Sequence, residues 1–262
     1  MMRNAEVNRM TGETKVQLFL DLDGAGKSDI DTGIGFLDHM LVLLSRHSGF
    51  DLMVKCNGDT YVDDHHSVED IGISLGQAFA EAIGDKKGIC RYADTTLAMD
   101  EALILTSVDI SGRDFLDYRM EIPSEKVGSF DTELTEEFLM GFVRNAGVTL
   151  HVRQLAGRNS HHIIEGMFKS LARTLRKAVE IDERFADSIP STKGRLSETT
   201  PEAPVREEVQ CGLGDDSYAK GIARGMTREM TQEVAHETLK PIQKKLSSTE
   251  ELEKELLEKG LL

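Results

Sequence analysis

The sequence predicts an α+β fold made of two duplicated halves, with helices packed on one face of mixed or antiparallel sheets. Segments with the two-residue apolar period of strands alternate with segments that have the period of helices. Several connections are short enough for antiparallel pairing, which argues against a doubly wound parallel fold. In addition, residues 65–83 resemble residues 161–179, and the alignment superimposes both histidines and the glutamate of an HHxxE motif.

The first half of the chain is predicted to contain two strands and two helices. Residues 14–22 (TKVQLFLDL) alternate apolar and polar side chains and are followed by a DGAG turn. Apolar residues three and four apart predict a helix that begins at residue 36 and ends at Gly49, and residues 50–56 alternate again as a strand. Residues 67–83 predict a second helix, which ends at Gly84.

The second half is predicted to contain a similar set of elements. Residues 102–110 form a strongly apolar strand, and residues 115–122 are expected to be its antiparallel neighbour. A helix is predicted at residues 135–145, a strand at 148–155 and a long helix at 161–185.

The sequence divides the chain into a duplicated unit and a C-terminal segment. Residues 1–196 form the duplicated unit, with halves at about 1–93 and 94–196. The polar stretch SETTPEAPVREE then resembles a linker, and helical patterns follow within residues 197–262. The role of this C-terminal segment is open, and we expect either a flexible appendage or a helix pair that binds an unknown partner.

The charge and the cysteine content exclude several classes of protein. The chain has 46 acidic and 31 basic residues, a net charge of −15, which argues against duplex nucleic acid or an anionic membrane surface as a partner. No apolar run approaches the roughly 18–20 residues of a membrane span, and the N-terminus lacks the apolar region of a signal peptide. Three cysteines without paired spacing fit a reducing compartment, so we expect a cytoplasmic protein.

Two motifs carry the residues with the clearest chemistry, DDHHSVED at 63–70 and GRNSHHIIEG at 157–166. In each motif two histidines open a helix, for which Asp64 and Ser160 are the predicted N-cap residues. Residues four apart lie on one face of a helix, so the first histidine and the glutamate can share a metal ion. The second histidine diverges by about 100° and could serve the ion of the other helix. The six residues are His65, His66, Glu69, His161, His162 and Glu165.

The ligand types indicate a catalytic metal site. His39 and His151 are candidates for the remaining positions, because each precedes one histidine pair by a strand and a loop. Imidazole and carboxylate without cysteine suit Mn²⁺, Fe²⁺ or Zn²⁺ and argue against a structural zinc. A single histidine pair is commonly a polar cluster at a helix start, but two pairs with equal glutamate spacing inside a repeat favour metal binding.

In their order along the chain, TGIGFLDHML, DDHHSVEDIGISLGQA, MDEAL, SGR, GRNSHHIIEGMFKSLAR and PSTKG resemble the imidazoleglycerol-phosphate dehydratases of histidine biosynthesis. The resemblance spans about residues 3–196. It implies a duplicated fold of the ribosomal protein S5 domain 2 type and a homo-oligomer, a 24-mer of octahedral symmetry with active sites at subunit contacts. It also implies two Mn²⁺ ions, one bound by His39, His66, His161 and Glu165 and the other by His65, Glu69, His151 and His162.

The resemblance further implies a carbon–oxygen lyase that removes water from D-erythro-imidazole glycerol phosphate to give imidazole acetol phosphate. Glu13 matches the family's acid/base glutamate, and His66 and Glu165 are the other residues assigned to catalysis. The metals would act as Lewis acids and as an orienting template for the substrate. The residues that match the family's phosphate contacts are Arg91, Arg113, Ser191 and Lys193.

The residues alone leave two other functions open. One is a di-metal hydrolase that acts on a phosphorylated small molecule, and the other is a non-catalytic, metal-binding oligomeric scaffold whose C-terminal segment recruits partners. The sequence also departs from the family pattern at Leu43, where many members have a glutamine that could contact the substrate.

Overall fold

A computed structural model describes residues 3–194 and residue 196, which form two consecutive halves. The first half contains four strands and two helices, in the order β1 (Asn4–Met10), β2 (Thr14–Asp21), β3 (Ser28–Asp31), α1 (Gly35–Ser48), β4 (Asp51–Gly58) and α2 (His65–Ile83).

The second half repeats this order with a short hairpin inserted. Its elements are β5 (Tyr92–Met99), β6 (Ala102–Asp109), β7 (Phe115–Arg119), the hairpin strands β8 (Lys126–Val127) and β9 (Phe130–Asp131), α3 (Leu134–Ala146), β10 (Thr149–Ala156) and α4 (Ser160–Val179).

The two large sheets have the same topology. Their strand orders are β1-β2-β4-β3 and β5-β6-β10-β7. In each sheet three strands pair antiparallel, and the remaining edge strand, β3 or β7, runs parallel to its neighbour. The duplicated α+β fold with mixed sheets is therefore confirmed, and α1 and α2 correspond to α3 and α4.

The helices lie between the two sheets. Alternate side chains of the central strands β2 and β6 are buried on the face that α2 and α4, respectively, cover. Helix α2 also packs on α3, and α1 packs on α4, so the helices of each half contact those of the other. This arrangement brings the N-terminal half of α1 beside the start of α4, where candidate ligands lie.

The prediction that residues 115–122 pair antiparallel with residues 102–110 is wrong. Strand β7 ends at Arg119 and pairs in parallel with β10. The two edges of β6 are already occupied by β5 and β10, so the next strand can pair only on the far side of β10.

The predicted helix at 161–185 is too long. Helix α4 ends at Val179, and Glu180 has an extended backbone with ψ 137°. Ile181 then forms an antiparallel bridge with Ile89, which draws the chain out of the helix before a short 3₁₀ turn at Glu183–Phe185. The other three helices agree with prediction to within two residues, and α1 ends at the predicted Gly49.

The C-terminal segment, with its predicted linker and helices at 197–262, lies outside the described residues. In the part of the chain that the structure does describe, no helix combines the length and apolarity that a membrane crossing requires.

Candidate metal centre and active site

The first turn of α4 is fixed by Asn159, not by the predicted Ser160. The Asn159 side chain accepts hydrogen bonds from the backbone N–H groups of His161 and His162, at 2.9 and 3.3 Å. The buried Ser160 hydroxyl instead accepts the backbone N–H of Ser124 at 3.0 Å. Both histidines therefore lie in the first turn of a capped helix, as the motif predicts. The capping residue is Asn159, one position before the predicted Ser160.

The first turn of α2 is fixed differently. Asp64 stands at the predicted N-cap position, but its side chain makes no capping hydrogen bond. The Asp63 carboxylate accepts the backbone N–H of His65 at 2.8 Å instead. The helix begins at His65, as the motif predicts and two residues before the range of 67–83 that the apolar period indicates.

Three predicted ligands converge where α1 meets α4. One ligand atom from each of His39, His161 and Glu165 lies within 4.8 Å of the other two. The Glu165 carboxylate is 3.0 Å from His161 Nε2, as the four-residue spacing predicts, and 3.6 Å from His39 Nε2. Two imidazole nitrogens and a carboxylate oxygen fit Mn²⁺, Fe²⁺ or Zn²⁺.

The environment of Glu165 keeps its carboxylate anionic. Burial raises the pKa of this group, but hydrogen bonds from Lys169 and His161 outweigh burial and bring the pKa below its ordinary value. Lys169 therefore supplies a positive charge beside the group of three ligands.

His66, the fourth ligand predicted for this ion, does not belong to the group. Its Nδ1 lies 3.1 and 3.2 Å from the two carboxylate oxygens of Asp59, and this hydrogen bond raises the pKa of the imidazole. Its Nε2 lies 3.8 Å from the carboxylate of Glu13, which is about half exposed. Two of the predicted catalytic residues, Glu13 and His66, are therefore neighbours.

The turn that carries Glu13 is tied to α2 by Asp70. This buried carboxylate accepts hydrogen bonds from Arg9 Nε, at 2.8 Å, and from the Thr14 hydroxyl. The Thr11 hydroxyl in turn accepts the backbone N–H groups of Glu13 and Thr14, at 3.1 and 2.9 Å. Sequence reasoning missed Asp70, although it lies inside the DDHHSVED motif.

The ligands predicted for the second ion do not converge within the described part of one chain. His162 Nδ1 lies 2.7 Å from Glu101, whose pKa this hydrogen bond lowers to about 2. His151 lies on the outer face of the second sheet, with Nδ1 3.4 Å from Asp117. Among the described residues, His65 and Glu69 make no ion pair with each other. Neither Glu101 nor Asp59 was among the predicted site residues.

Three of the four predicted phosphate contacts lie together. The Arg91 guanidinium pairs with Asp109 at 2.7 Å and donates to the Pro190 carbonyl at 2.8 Å, which holds it beside the PSTKG segment. Within that segment the Ser191 hydroxyl accepts the backbone N–H of Lys193 at 3.1 Å. Arg113, the fourth, is exposed on the loop between β6 and β7.

A depression of about 290 Å³ lies on the outer face of the second sheet. His151 lines one part of it, and Asp109, the partner of Arg91, lines another. The depression therefore joins a candidate metal ligand to the anchor of a candidate phosphate contact.

The sequence model of the imidazoleglycerol-phosphate dehydratase family matches residues 32–175, more than half of the chain and both HHxxE motifs. The chain belongs to this family. An imidazoleglycerol-phosphate dehydratase of Methylobacterium radiotolerans is 58% identical over 195 residues, which are 74% of this chain and 100% of the relative. One from Synechococcus sp. is 52% identical over 198 residues, which are 76% of this chain and 98% of the relative.

Solved structures of imidazoleglycerol-phosphate dehydratases have the same fold. The Staphylococcus aureus crystal structure superposes with a TM-score of 0.63 at 42% identity, covering 68% of this chain and 99% of that one. The Pyrococcus furiosus structure, in complex with (S)-C348, gives 0.63 at 35% identity and covers 72% of this chain and 100% of that one. The chain is thus an enzyme of a hydro-lyase family, as predicted, and carries additional residues that these relatives lack.

Proposed function

We propose that this chain removes water from D-erythro-imidazole glycerol phosphate to give imidazole acetol phosphate in histidine biosynthesis, using two Mn²⁺ ions. The observation that carries the proposal is the convergence of His39, His161 and Glu165 on one point. The relatives that share this sequence over their full length, or nearly so, are dehydratases named for this phosphate.

The proposed site is shared between copies of the chain. His39, His161 and Glu165 of one subunit would hold the first ion, and His66 would come from another subunit, because it lies outside the group of three. The same reasoning applies to the second ion, whose ligands also lie apart. They are His65, Glu69, His151 and His162. The active enzyme is therefore a homo-oligomer in this proposal, and its ligand chemistry would also accept Fe²⁺ or Zn²⁺.

Glu13 is the residue that moves protons in the proposed reaction. The ions, when bound, would supply Lewis acidity to the ring nitrogens of the substrate. The proton that departs is bound to carbon and is weakly acidic, so a positioned base must take it. Glu13 takes this proton and returns one to the adjacent hydroxyl, which leaves as water. The resulting enol tautomerises to the ketone, and the reaction needs no oxidant or reductant.

The phosphate of the substrate requires fixed cations. Two contacts hold the Arg91 guanidinium beside Ser191 and Lys193. A guanidinium can donate two parallel hydrogen bonds to two oxygens of one phosphate. Arg113 is exposed and free of ion pairs among the described residues, so its charge is open to a substrate. The depression beside His151 extends to Asp109, the carboxylate that holds Arg91.

The assay that tests the function follows ketone formation from the imidazole phosphate substrate by the purified full chain loaded with Mn²⁺. Inorganic phosphate is measured in the same samples. We expect ketone without phosphate release, and we expect Glu13→Gln to bind Mn²⁺ normally but to lose about 10²-fold or more in kcat. No ketone from a folded, fully metal-loaded sample would contradict the proposal, and phosphate release would favour a hydrolase.

A further inference from the structure

We propose that Asp59 and Glu101 are positioning residues that fix the tautomer and the ring orientation of His66 and His162, so that both imidazoles bind metal through Nε2. The inference rests on the proposed function, because it concerns the ligands of the two proposed ions. Metal-binding histidines commonly donate their other ring N–H to a carboxylate, which orients the ring and increases its basicity.

Both contacts involve the same ring nitrogen. Nδ1 of His66 lies 3.1 Å from one Asp59 oxygen, and Nδ1 of His162 lies 2.7 Å from Glu101 Oε2. An ionised carboxylate only accepts hydrogen bonds, so Nδ1 must carry the proton in both rings. Nε2 then has a free lone pair, which is what a metal requires.

The two carboxylates differ in how they are held. Glu101 Oε1 accepts the backbone N–H groups of Asn159 and Arg158, at 2.8 and 3.3 Å, which leaves Oε2 for His162. The Asp59 side chain is only 14% exposed, and both of its oxygens face His66. Glu101 is therefore fixed by two backbone donors, whereas Asp59 is largely buried against His66.

The two halves of the chain supply the carboxylate that contacts Nδ1 from different positions. His66 and His162 occupy equivalent positions at the starts of α2 and α4. Glu101 stands directly before β6, and the residue directly before β2 is Glu13, which faces the Nε2 side of His66 at 3.8 Å. In the first half the Nδ1 contact is therefore made by Asp59, from the loop after β4, which leaves Glu13 for the proposed proton transfer.

The geometry of the other ligands agrees with Nε2 binding. His39 and His161 both direct Nε2 at Glu165 in the group of three. A His66 ring that offers Nε2 would complete this set with the same atom type from all three imidazoles.

Glu101→Gln and Asp59→Ala test the inference. Glutamine can keep an oxygen for the two backbone donors of the Glu101 contact, but its NH₂ group then donates to Nδ1 and favours the tautomer with the proton on Nε2. Alanine removes the acceptor of His66 Nδ1 altogether, because no second donor would hold an asparagine at Asp59 in one orientation. We expect Mn²⁺ to bind about 10–100-fold more weakly at one of the two ions in each variant, at the ion of His162 for Glu101→Gln and at that of His66 for Asp59→Ala. Calorimetric Mn²⁺ titration of the full-length assembled protein measures both affinities, and each variant is the control for the other.

A double-mutant cycle separates positioning from a structural role. In a His162→Ala background, Glu101→Gln should not weaken Mn²⁺ binding further, whereas a structural defect would weaken it in both backgrounds. If either variant fails to assemble, the other tests the same contact in the opposite half of the chain. Two ions bound with unchanged affinity by both variants would overturn the inference, and no Mn²⁺ binding by the unmodified chain would overturn the proposed function instead.

Discussion

The side chain of Arg91 is fixed before any substrate arrives. Its backbone has a φ of 69°, in the left-handed region that residues other than glycine rarely adopt. Backbone hydrogen bonds to Ala178 and from Ile110 hold that conformation, and the guanidinium is held by Asp109 and Pro190. A cation ordered in advance loses little conformational freedom when it binds phosphate, which supports its proposed role.

Replacement of Arg91 by lysine should weaken substrate binding although it keeps the charge. Lysine cannot form the two-point contact with Asp109 or hold the same position beside the PSTKG segment. We expect KM for the phosphate substrate to rise about tenfold, as the loss of one charged hydrogen bond would predict, with unchanged Mn²⁺ content. Steady-state kinetics measure this, with Arg184→Lys, which alters an exposed pair with Asp182, as the matched control. An unchanged KM in Arg91→Lys would remove this residue from the phosphate site.

At the residue scale, the sequence predicts contacts that follow from helical geometry and misses those made by loops. The pairing of His161 with Glu165 follows from their spacing of four residues. The pairing of His162 with Glu101 joins residues 61 positions apart, and no local pattern indicates it. Asn159 and Ser160 are both good N-cap residues, and the choice between them depends on Ser124, which a distant loop supplies.

At the scale of elements, α2 and α3 approach so closely that glycine is required where they cross. A Cβ atom on Gly76 would lie 2.5 Å from the Phe142 carbonyl oxygen and 2.8 Å from Asn145 Cβ. Gly72 and Gly141 meet the opposite backbone in the same way. Because α2 carries His65 and His66, this close packing contributes to the position of the ligands.

We expect Gly76→Ala to lower the free energy of unfolding by about 1–3 kcal/mol. The backbone carbonyl of Phe142 cannot rotate away from the new methyl group, so the helices must separate, and this exceeds the gain in helix propensity. Gly35→Ala is the control, because no atom lies within 4 Å of its added Cβ. Denaturant unfolding of both variants gives the comparison, and equal stability would show that α2 and α3 can separate without cost.

The cap of α4 gives a second prediction for an element. Asn159→Ala removes the side chain that accepts from His161 and His162, and it should lower the free energy of unfolding by about 1 kcal/mol. Mn²⁺ affinity should also fall, since both ligands lie in the turn that frays. Asp64→Ala is the control in α2, because the Asp64 side chain makes no capping hydrogen bond. Losses of equal size in both variants would contradict this explanation.

All four helices and the central strands could be predicted because their apolar period is local. The edge strand β1 was not predicted, since Ala5 is its only fully buried residue and the rest of NAEVNRM is polar or partly exposed. Strand β3 has four residues and none of them is buried. The pairing of β7 depends on which strand edge is still free, and only the assembled sheet determines that.

For the molecule as a whole, the described part of the chain exposes large apolar side chains on several elements. Met10, Phe115 and Leu155 are exposed by 73%, 54% and 54%, and Tyr61 by 90%. Exposed apolar side chains mark a surface that contacts another chain only where they form one large contiguous patch. The proposed assembly of several copies therefore rests on the predicted ligands that lie apart among the described residues.

Removal of metal should loosen this assembly. If each ion is held by ligands from more than one chain, bound metal stabilises the oligomer by mass action, and a chelator withdraws that contribution. We expect light scattering in excess EDTA to report a smaller particle, and added Mn²⁺ to restore the original one. Mg²⁺ added in place of Mn²⁺ is the control, because histidine-rich sites bind it poorly. A particle of unchanged mass in EDTA would count against metal-bridged contacts.

Mixed assemblies of two variants test whether ligands from different chains complete each site, as we propose. The variants His161→Ala and His66→Ala each lack one ligand of the first ion and should be inactive alone. Co-expressed in equal amounts, they should give about one quarter of the activity of the unmodified enzyme, because a random pair of neighbouring chains supplies both intact ligands at that frequency. If mass spectrometry demonstrates mixed assembly but dehydration does not exceed that of the separate variants, both ligands come from one chain and the claim is wrong.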